Sequence, residues 1–252
     1  MQAKGLVIGG LVAALLVATW VPLLAQRGAP TEPRDWPLTL ANILPSGQPV
    51  IPLFEAWIKN PDGTITFSFG YLNMNLEEEL DIPLGPDNFI EPRKFDGLQP
   101  THFDVATKEP NRNSRQQAVF SVVVPPDYKG DVVWTLRVRG KTYSSPARAT
   151  REEYGIDDLE SLTFSPVAPV LKFGTSGASG RGRRGFMAGP VKATVGEPLP
   201  VSISIDLLSR PRSTITWYHH QGPGRVTFDP KETVVKANGE AKTTATFSQP
   251  GD

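Results

Sequence analysis

Cysteine is absent from this 252-residue chain, and with it go disulfides, thiolate metal sites and a lipid-anchored leader cysteine. A surplus of one charge is also missing. The 26 lysines and arginines are matched by 26 aspartates and glutamates, so no nucleic-acid partner is implied, because such proteins carry a clustered basic excess. Only three histidines occur, and no Gly-x-Ser-x-Gly elbow accompanies them, which removes that route to a serine triad. The glycine-rich stretch Gly174 to Gly180 does not fit the elbow pattern. Between residues 50 and 150 no segment sustains a 3.6-residue apolar period beyond a couple of turns, so long amphipathic helices are not expected there.

What the chain does have begins with a leader. Lys4 precedes an uncharged apolar run from Gly5 to Ala25, with Pro22 near its end and small Ala25 before polar Gln26. This is a secretory signal pattern, with cleavage expected after Ala25. The competing reading is an uncleaved anchor, since about 18 apolar residues suffice to span a bilayer. Arg27 and Arg34 on the translocated side make the charge bias slight. The expected location is therefore secreted or periplasmic, with membrane contact only through the leader if it stays attached. Cleavage removes only one basic residue, Lys4, so the mature chain is also close to neutral. Without disulfides the exported fold has to stand on its core.

The 25 prolines and 23 glycines are more than average usage and follow no collagen-like period, as suits many turns between short strands. Residues 26–49 read as a Pro-rich tether. From Val50 the pattern becomes that of strands. Ile65, Phe67, Phe69 and Tyr71 alternate with Thr64, Thr66, Ser68 and Gly70, which predicts a strand with one apolar and one wet face. The turn Asn60-Pro61-Asp62-Gly63 and the run Leu53 to Ile58 make it a hairpin. Leu80 to Asn88 and Glu91 to Arg115 read as a long crossover or loop layer. Ala118 to Val124, ending at Pro125-Pro126, and Val132 to Arg139 are expected to pair antiparallel. Glu152 to Leu162 has room for one helical turn. These features give a first β-sandwich domain over 50–164. Residues 165–189, rich in glycine and carrying Arg181, Arg183 and Arg184, read as a mobile linker or loop. Strand alternation resumes at Val191 to Val195 and at Pro200 to Leu207, with Val201, Ile203, Ile205 and Leu207 inward, opening a second all-β unit over 190–252.

In that second unit, Ile215-Thr216-Trp217, then Gly222-Pro223-Gly224-Arg225-Val226-Thr227-Phe228, then Thr243 to Ser248 and Pro250-Gly251 resemble the immunoglobulin-like PKD family. The resemblance implies a Trp217 core strand and a closing strand after Pro250-Gly251, which this chain lacks, so the second module is expected to be truncated. More faintly, Asn60 to Thr64, Phe69 to Asn73, Gly85 to Asn88 and Gln99 to Phe103 are similar to uncharacterised exported bacterial proteins that place such a unit ahead of Ig-like modules. The predicted fold is all-β, with two Ig-like β-sandwich modules in tandem after a signal peptide.

The candidate chemistry is thin. His219 and His220 are neighbours, which on one strand face opposite ways and cannot readily share an ion. His102 has no second histidine at ligand spacing and reads as structural. Glu77, Glu78, Glu79 and Asp81, with Asp87 and Asn88 nearby, offer oxygen ligands for calcium but lack the spacing of a calcium loop and read as a solvated charge run. Asp104, Glu109, Asp157 and Glu160 are the acids from which a glycosidase pair would be drawn, although separation in space decides that chemistry. Trp57, Trp134 and Trp217 fall in predicted strands and are expected to be buried rather than to form a sugar platform. Arg181 to Arg184 could clasp an anionic headgroup or glycan, but reads as a soluble loop.

No catalytic, cofactor-binding or metal residue is therefore assigned, and no cofactor. The chain reads as an exported, non-catalytic binding or spacer protein of the cell envelope; its partner is unknown, with an extracellular glycan and an envelope protein as the candidates. The alternatives are a secreted carbohydrate-binding module, or a hydrolase using carboxylates of the 80–115 loop layer. The leader yields the first prediction. Mass spectrometry of the exported protein is expected to show Gln26 at the N-terminus, and an intact Met1 would mean a retained anchor.

Overall fold

The β-hairpin written at residues 53–71 is present at the predicted turn. In the computed structural model, which describes residues 44–105, 115–150, 152–156, 169–174, 177–181, 185–208 and 212–251, β1 (Val50–Lys59) pairs antiparallel with β2 (Ile65–Asn73), Lys59 opposite Ile65. Gly63 adopts φ of +83°, and the Asp62 carboxylate accepts the Thr64 amide at 3.0 Å, an Asx-type closure of the turn. β6 (Arg115–Val124) pairs with the other edge of β2, giving a sheet of order β1-β2-β6. The leader and most of the tether lie outside the described residues, as do Glu109, Asp157 and Glu160.

β2 has no wet face. Thr66 and Ser68 are fully buried, because polar side chains cover them. Asn60 donates to Thr66 Oγ1 at 2.9 Å, and the Ser68 hydroxyl donates to Glu55 Oε2 at 3.2 Å. Glu55 lies at a register shift between Phe54 and Ala56. It also accepts the Ala118 amide at 2.7 Å and pairs with Arg115 at 3.2 Å. A bulge re-aims a side chain in this way. Gly70 lies beneath the same crossing, where a Cβ would fall 2.2 Å from the Gln116 carbonyl oxygen.

β6 does not pair with the following strand as expected. β7 (Val132–Val138) lies in a second sheet, between β4 (Asn88–Glu91) and β8 (Lys141–Ala147). Pro125-Pro126 has no amide to donate, so the ladder stops at Val124 and the chain crosses to the opposite layer. The two three-stranded sheets close on a common core, in which the Phe120 and Trp134 rings meet edge-to-face at 5.0 Å and Phe69 stacks on Phe120 at 5.0 Å. The expected loop layer carries a 3₁₀ turn at Arg93–Phe95 and a two-stranded ladder of β3 (Leu80–Asp81) and β5 (His102–Phe103). A second 3₁₀ turn, Glu152–Tyr154, leads into Gly155, which bridges to Trp57 on the edge of β1.

The segment expected as a linker contributes to a sheet. β9 (Val170–Phe173) and β10 (Ser179–Arg181) form a hairpin, and β9 pairs with β11 (Leu199–Asp206). With β13 (Val226–Asp229) and β15 (Gly239–Phe247) they make a five-stranded antiparallel sheet of order β10-β9-β11-β15-β13. Val191 to Val195 form no strand, and both valines are exposed. β12 (Ser213–Thr216) pairs with β14 (Glu232–Val235) as a separate ribbon. Ile203, Ile205 and Leu207 turn inward as the alternation predicted, against Val235 and Ala241, with Trp217 packed at the margin, whereas Val201, expected in the same row, is only half-buried and lies outside the cluster. Two hydrophobic clusters thus exist within one compact unit from Ile43 onward. The fold is all-β, built from several antiparallel sheets in an arrangement consistent with a β-sandwich, with no α-helix among the described residues.

The loop layer between β3 and β5 is held by Asn88. Its amide nitrogen donates to the carbonyls of Ile82 at 2.9 Å and Pro100 at 2.7 Å, and its oxygen accepts the Trp134 indole N–H at 3.1 Å. Asn88→Ala strands three buried polar groups, each worth about 1–3 kcal/mol when left unpaired, and should lower the denaturant midpoint by more than a typical surface change does. Gly70→Ala should cost about 1–3 kcal/mol through backbone overlap. A midpoint unchanged in either variant would contradict this packing.

Candidate functional site

The β3–β5 ladder sorts its side chains by alternation. Leu80 pairs with Phe103 and Asp81 with His102, so Leu80 and Phe103 turn to the core while Glu79, Asp81, His102 and Asp104 share the opposite face. His102 Nδ1 lies 2.6 Å from Asp81 Oδ1. A carboxylate can only accept, so Nδ1 carries a proton and points away from the cleft, leaving Nε2 on the cleft side. Nε2 stands 3.8 Å from Glu79 Oε2 and 3.8 Å from Asp104 Oδ1. One ligand atom from each of Glu79, His102 and Asp104 lies within 4.8 Å of the other two. Asp104 is buried, and its main-chain carbonyl accepts the Tyr71 hydroxyl at 3.4 Å. Burial first, and the Asp104 charge second, push the Tyr71 phenol far above its usual range.

The opposite wall comes from the segment after β12. His219 stacks on His102, ring centres 4.7 Å apart and planes at 26°. Its Nε2 donates to the Gln221 carbonyl at 2.9 Å, while its buried Nδ1 has no hydrogen-bond partner. Burial, with His102 beside it, holds His219 below the ordinary histidine range and keeps the ring neutral. Lys231, placed by the bond from the Trp217 amide to its own carbonyl at 2.9 Å, pairs with Asp104 Oδ1 at 3.1 Å. Glu79, His102, Asp104, His219, Arg225 and Lys231 line a cleft of about 180 Å³.

The cleft lies along a continuous seam. The His220 carbonyl accepts the Thr101 amide at 2.9 Å, and its Nε2 donates to the Leu98 carbonyl at 3.0 Å. Gln221 Nε2 donates to the carbonyls of Gly97 at 2.8 Å and Gln99 at 2.6 Å. The Gly222 amide reaches Thr101 Oγ1 at 3.2 Å. Burial also depresses His220, consistent with a neutral ring donating from Nε2.

Several expectations change in three dimensions. Residues 217–220 are not a strand, and His102, read as isolated, meets His219 from across the sequence. The acidic run is dispersed, with Glu78 bound to Arg139 at 2.7 Å, Glu79 and Asp81 at the cleft, and Asn88 locked in the core. Of the four candidate acids only Asp104 is described, and it faces Lys231. Trp134 is fully buried and Trp57 half-buried in β1, while Trp217 lies one residue past β12. Arg181 lies in β10, and the rest of the expected arginine clasp is outside the described residues. The missed signal was local. Glu79-Leu80-Asp81 and His102-Phe103-Asp104 are both polar-apolar-acidic triplets of period two, which places their polar members on one face of any ladder they form.

No family model, curated protein or solved structure matches the chain. What defines it is the architecture itself, an all-β protein whose antiparallel sheets meet at a seam with a charged cleft. Gln221→Ala removes two hydrogen bonds from that seam and should destabilise the protein by about 1–3 kcal/mol, seen as an earlier thermal midpoint. An unchanged midpoint would mean that the seam carries no stability.

Proposed function

We propose that this protein is an exported, non-catalytic β-sandwich protein that binds or spaces other components at the cell envelope, its two Ig-like modules in tandem and the second PKD-like. The observation that carries this reading is the seam. Main-chain and side-chain hydrogen bonds from residues 97–102 to 220–222 tie one hydrophobic cluster to the other, and a tie of that kind resists the hinge motion expected of loosely tethered modules. Two β-clusters tied in this way are useful where distance or orientation must be held.

The carbohydrate-binding alternative needs solvent-facing aromatic rings. Trp134 is fully buried and Trp57 is half-buried, which argues against a platform built on them. The hydrolase alternative needs a carboxylate free to exchange a proton, whereas Asp104 is engaged by Lys231.

The test is fractionation of the producing cells followed by co-sedimentation of the purified protein with isolated envelope material. The protein is expected in the exported fraction, to sediment with that material, and to release no soluble fragments from it. Recovery in the cytoplasm would overturn the reading, as would release of fragments that is lost in Asp104→Asn. A companion measurement is thermal unfolding, where the coupled clusters should melt in one transition and Gln221→Ala should separate their transitions.

A further inference from the structure

We infer that Glu79, His102 and Asp104 form a binding site for a first-row divalent cation of the zinc class. Three features converge on it. The first is the donor set. One imidazole nitrogen with two carboxylate oxygens suits zinc-like ions, whereas calcium takes oxygen ligands alone. Ligands about 2.0–2.2 Å from a tetrahedral ion lie somewhat closer together than the 3.8 Å from His102 Nε2 to each carboxylate. Each carboxylate has to draw in by a few tenths of an ångström; Glu79, whose side chain is one-third exposed, has room to do so, and buried Asp104 does so as Lys231 lets go of it.

The second feature is the support behind the histidine. Asp81 takes the Nδ1 proton at 2.6 Å, which fixes the tautomer that presents Nε2 to the carboxylates. A carboxylate behind a ligating histidine orients the ring and raises its basicity.

The third is His219, independent of the acidic residues. It is only 8% exposed, lines the same cleft, and holds a buried Nδ1 lone pair with no partner. A buried acceptor left unpaired costs free energy, and a metal-bound water in the same cleft supplies what it lacks.

The charge balance agrees. Glu79 and Asp104 line the cleft with Arg225 and Lys231, and Asp81 behind His102 adds a third carboxylate beside it. Lys231 holds Asp104 in the metal's absence, and its side chain is half exposed, so it can swing into solvent as the ion enters. The site therefore joins the two hydrophobic clusters, with its ligands on one wall and its displaced counter-ion on the other.

The test uses the full exported chain, stripped with a chelator, titrated calorimetrically with Zn²⁺ alone and followed spectroscopically with Co²⁺ alone. One ion per chain is expected, with visible Co²⁺ bands showing nitrogen and oxygen ligation. His102→Ala and Asp104→Asn should abolish the bands, and Asp81→Asn should weaken binding about 10- to 100-fold, as loss of such a supporting carboxylate does. Lys231→Gln should bind roughly tenfold tighter, because an ammonium a few ångströms from the ion is removed. Circular dichroism of the metal-free variants establishes folding. Should buried Asp104→Asn fail to fold, the more exposed Glu79→Gln takes its place and must also lose the bands. Zn²⁺ binding that survives in His102→Ala overturns the inference. So does absence of binding in both the wild type and Lys231→Gln, which would leave the cluster as an ion-pair network. Neither outcome bears on export or envelope sedimentation, so the spacer reading stands or falls separately.

Discussion

One buried asparagine holds the part of this protein on which the rest depends. Asn88 joins β4 to the Ile82 and Pro100 carbonyls and to the Trp134 indole, so the largest ring of the core also orders the loop above it. A segment broken by Pro83, Pro86, Pro92 and Pro100 and with so little regular pairing has little reason to adopt one conformation. Fully satisfied buried hydrogen bonds supply the reason, because in a low-dielectric interior any alternative leaves polar groups unpaired. Gln99 extends the arrangement, donating to Asp96 at 2.7 Å and accepting the Gly97 amide at 2.9 Å.

That ordered loop then does two things with one surface. Its carbonyls at Gly97, Leu98 and Gln99 meet His220 and Gln221 to form the seam, and the ladder at its ends presents His102 and Asp104 to the cleft. Lys231 connects them, since it belongs to the second cluster's side and pairs with Asp104 on the first. Stability and cleft geometry are therefore coupled. A change that loosens residues 97–101 also moves the ligand atoms of the cleft.

The parts legible in the sequence were those that short-range rules decide. The β1–β2 hairpin followed from Asn60-Pro61-Asp62-Gly63 between alternating runs, and the inward row Ile203, Ile205 and Leu207 from period-two alternation. Strand partners were less legible. β6 and β7 are adjacent in sequence yet lie in opposite sheets, because two prolines end one ladder and sheet pairing is a long-range choice. The hidden polar face of β2 was also beyond reach, since Thr66 and Ser68 are covered by Asn60 and by Glu55 reaching over from a bulge. Glycine and arginine between 174 and 185 suggested a linker, but Ser179–Arg181 pairs with β9, which pairs in turn with β11, and that backbone pairing outweighs the composition. The cleft was half legible. Two polar-apolar-acidic triplets announced a shared face, but nothing in their spacing said that they pair with each other.

The sequence by itself determined an all-β chain, its hairpins and turns, its neutral charge and its freedom from disulfides, because composition and alternation act over a few residues at a time. Only the tertiary structure decided which strands share a sheet, which polar residues are buried, and that His219 stacks on His102 beside Asp104 and Lys231. Those outcomes depend on contacts beyond the reach of local rules, from 46 positions for Asn88 and Trp134 to 127 for Asp104 and Lys231, and they are selected by the joint requirement to fill two cores and leave few buried polar groups unpaired.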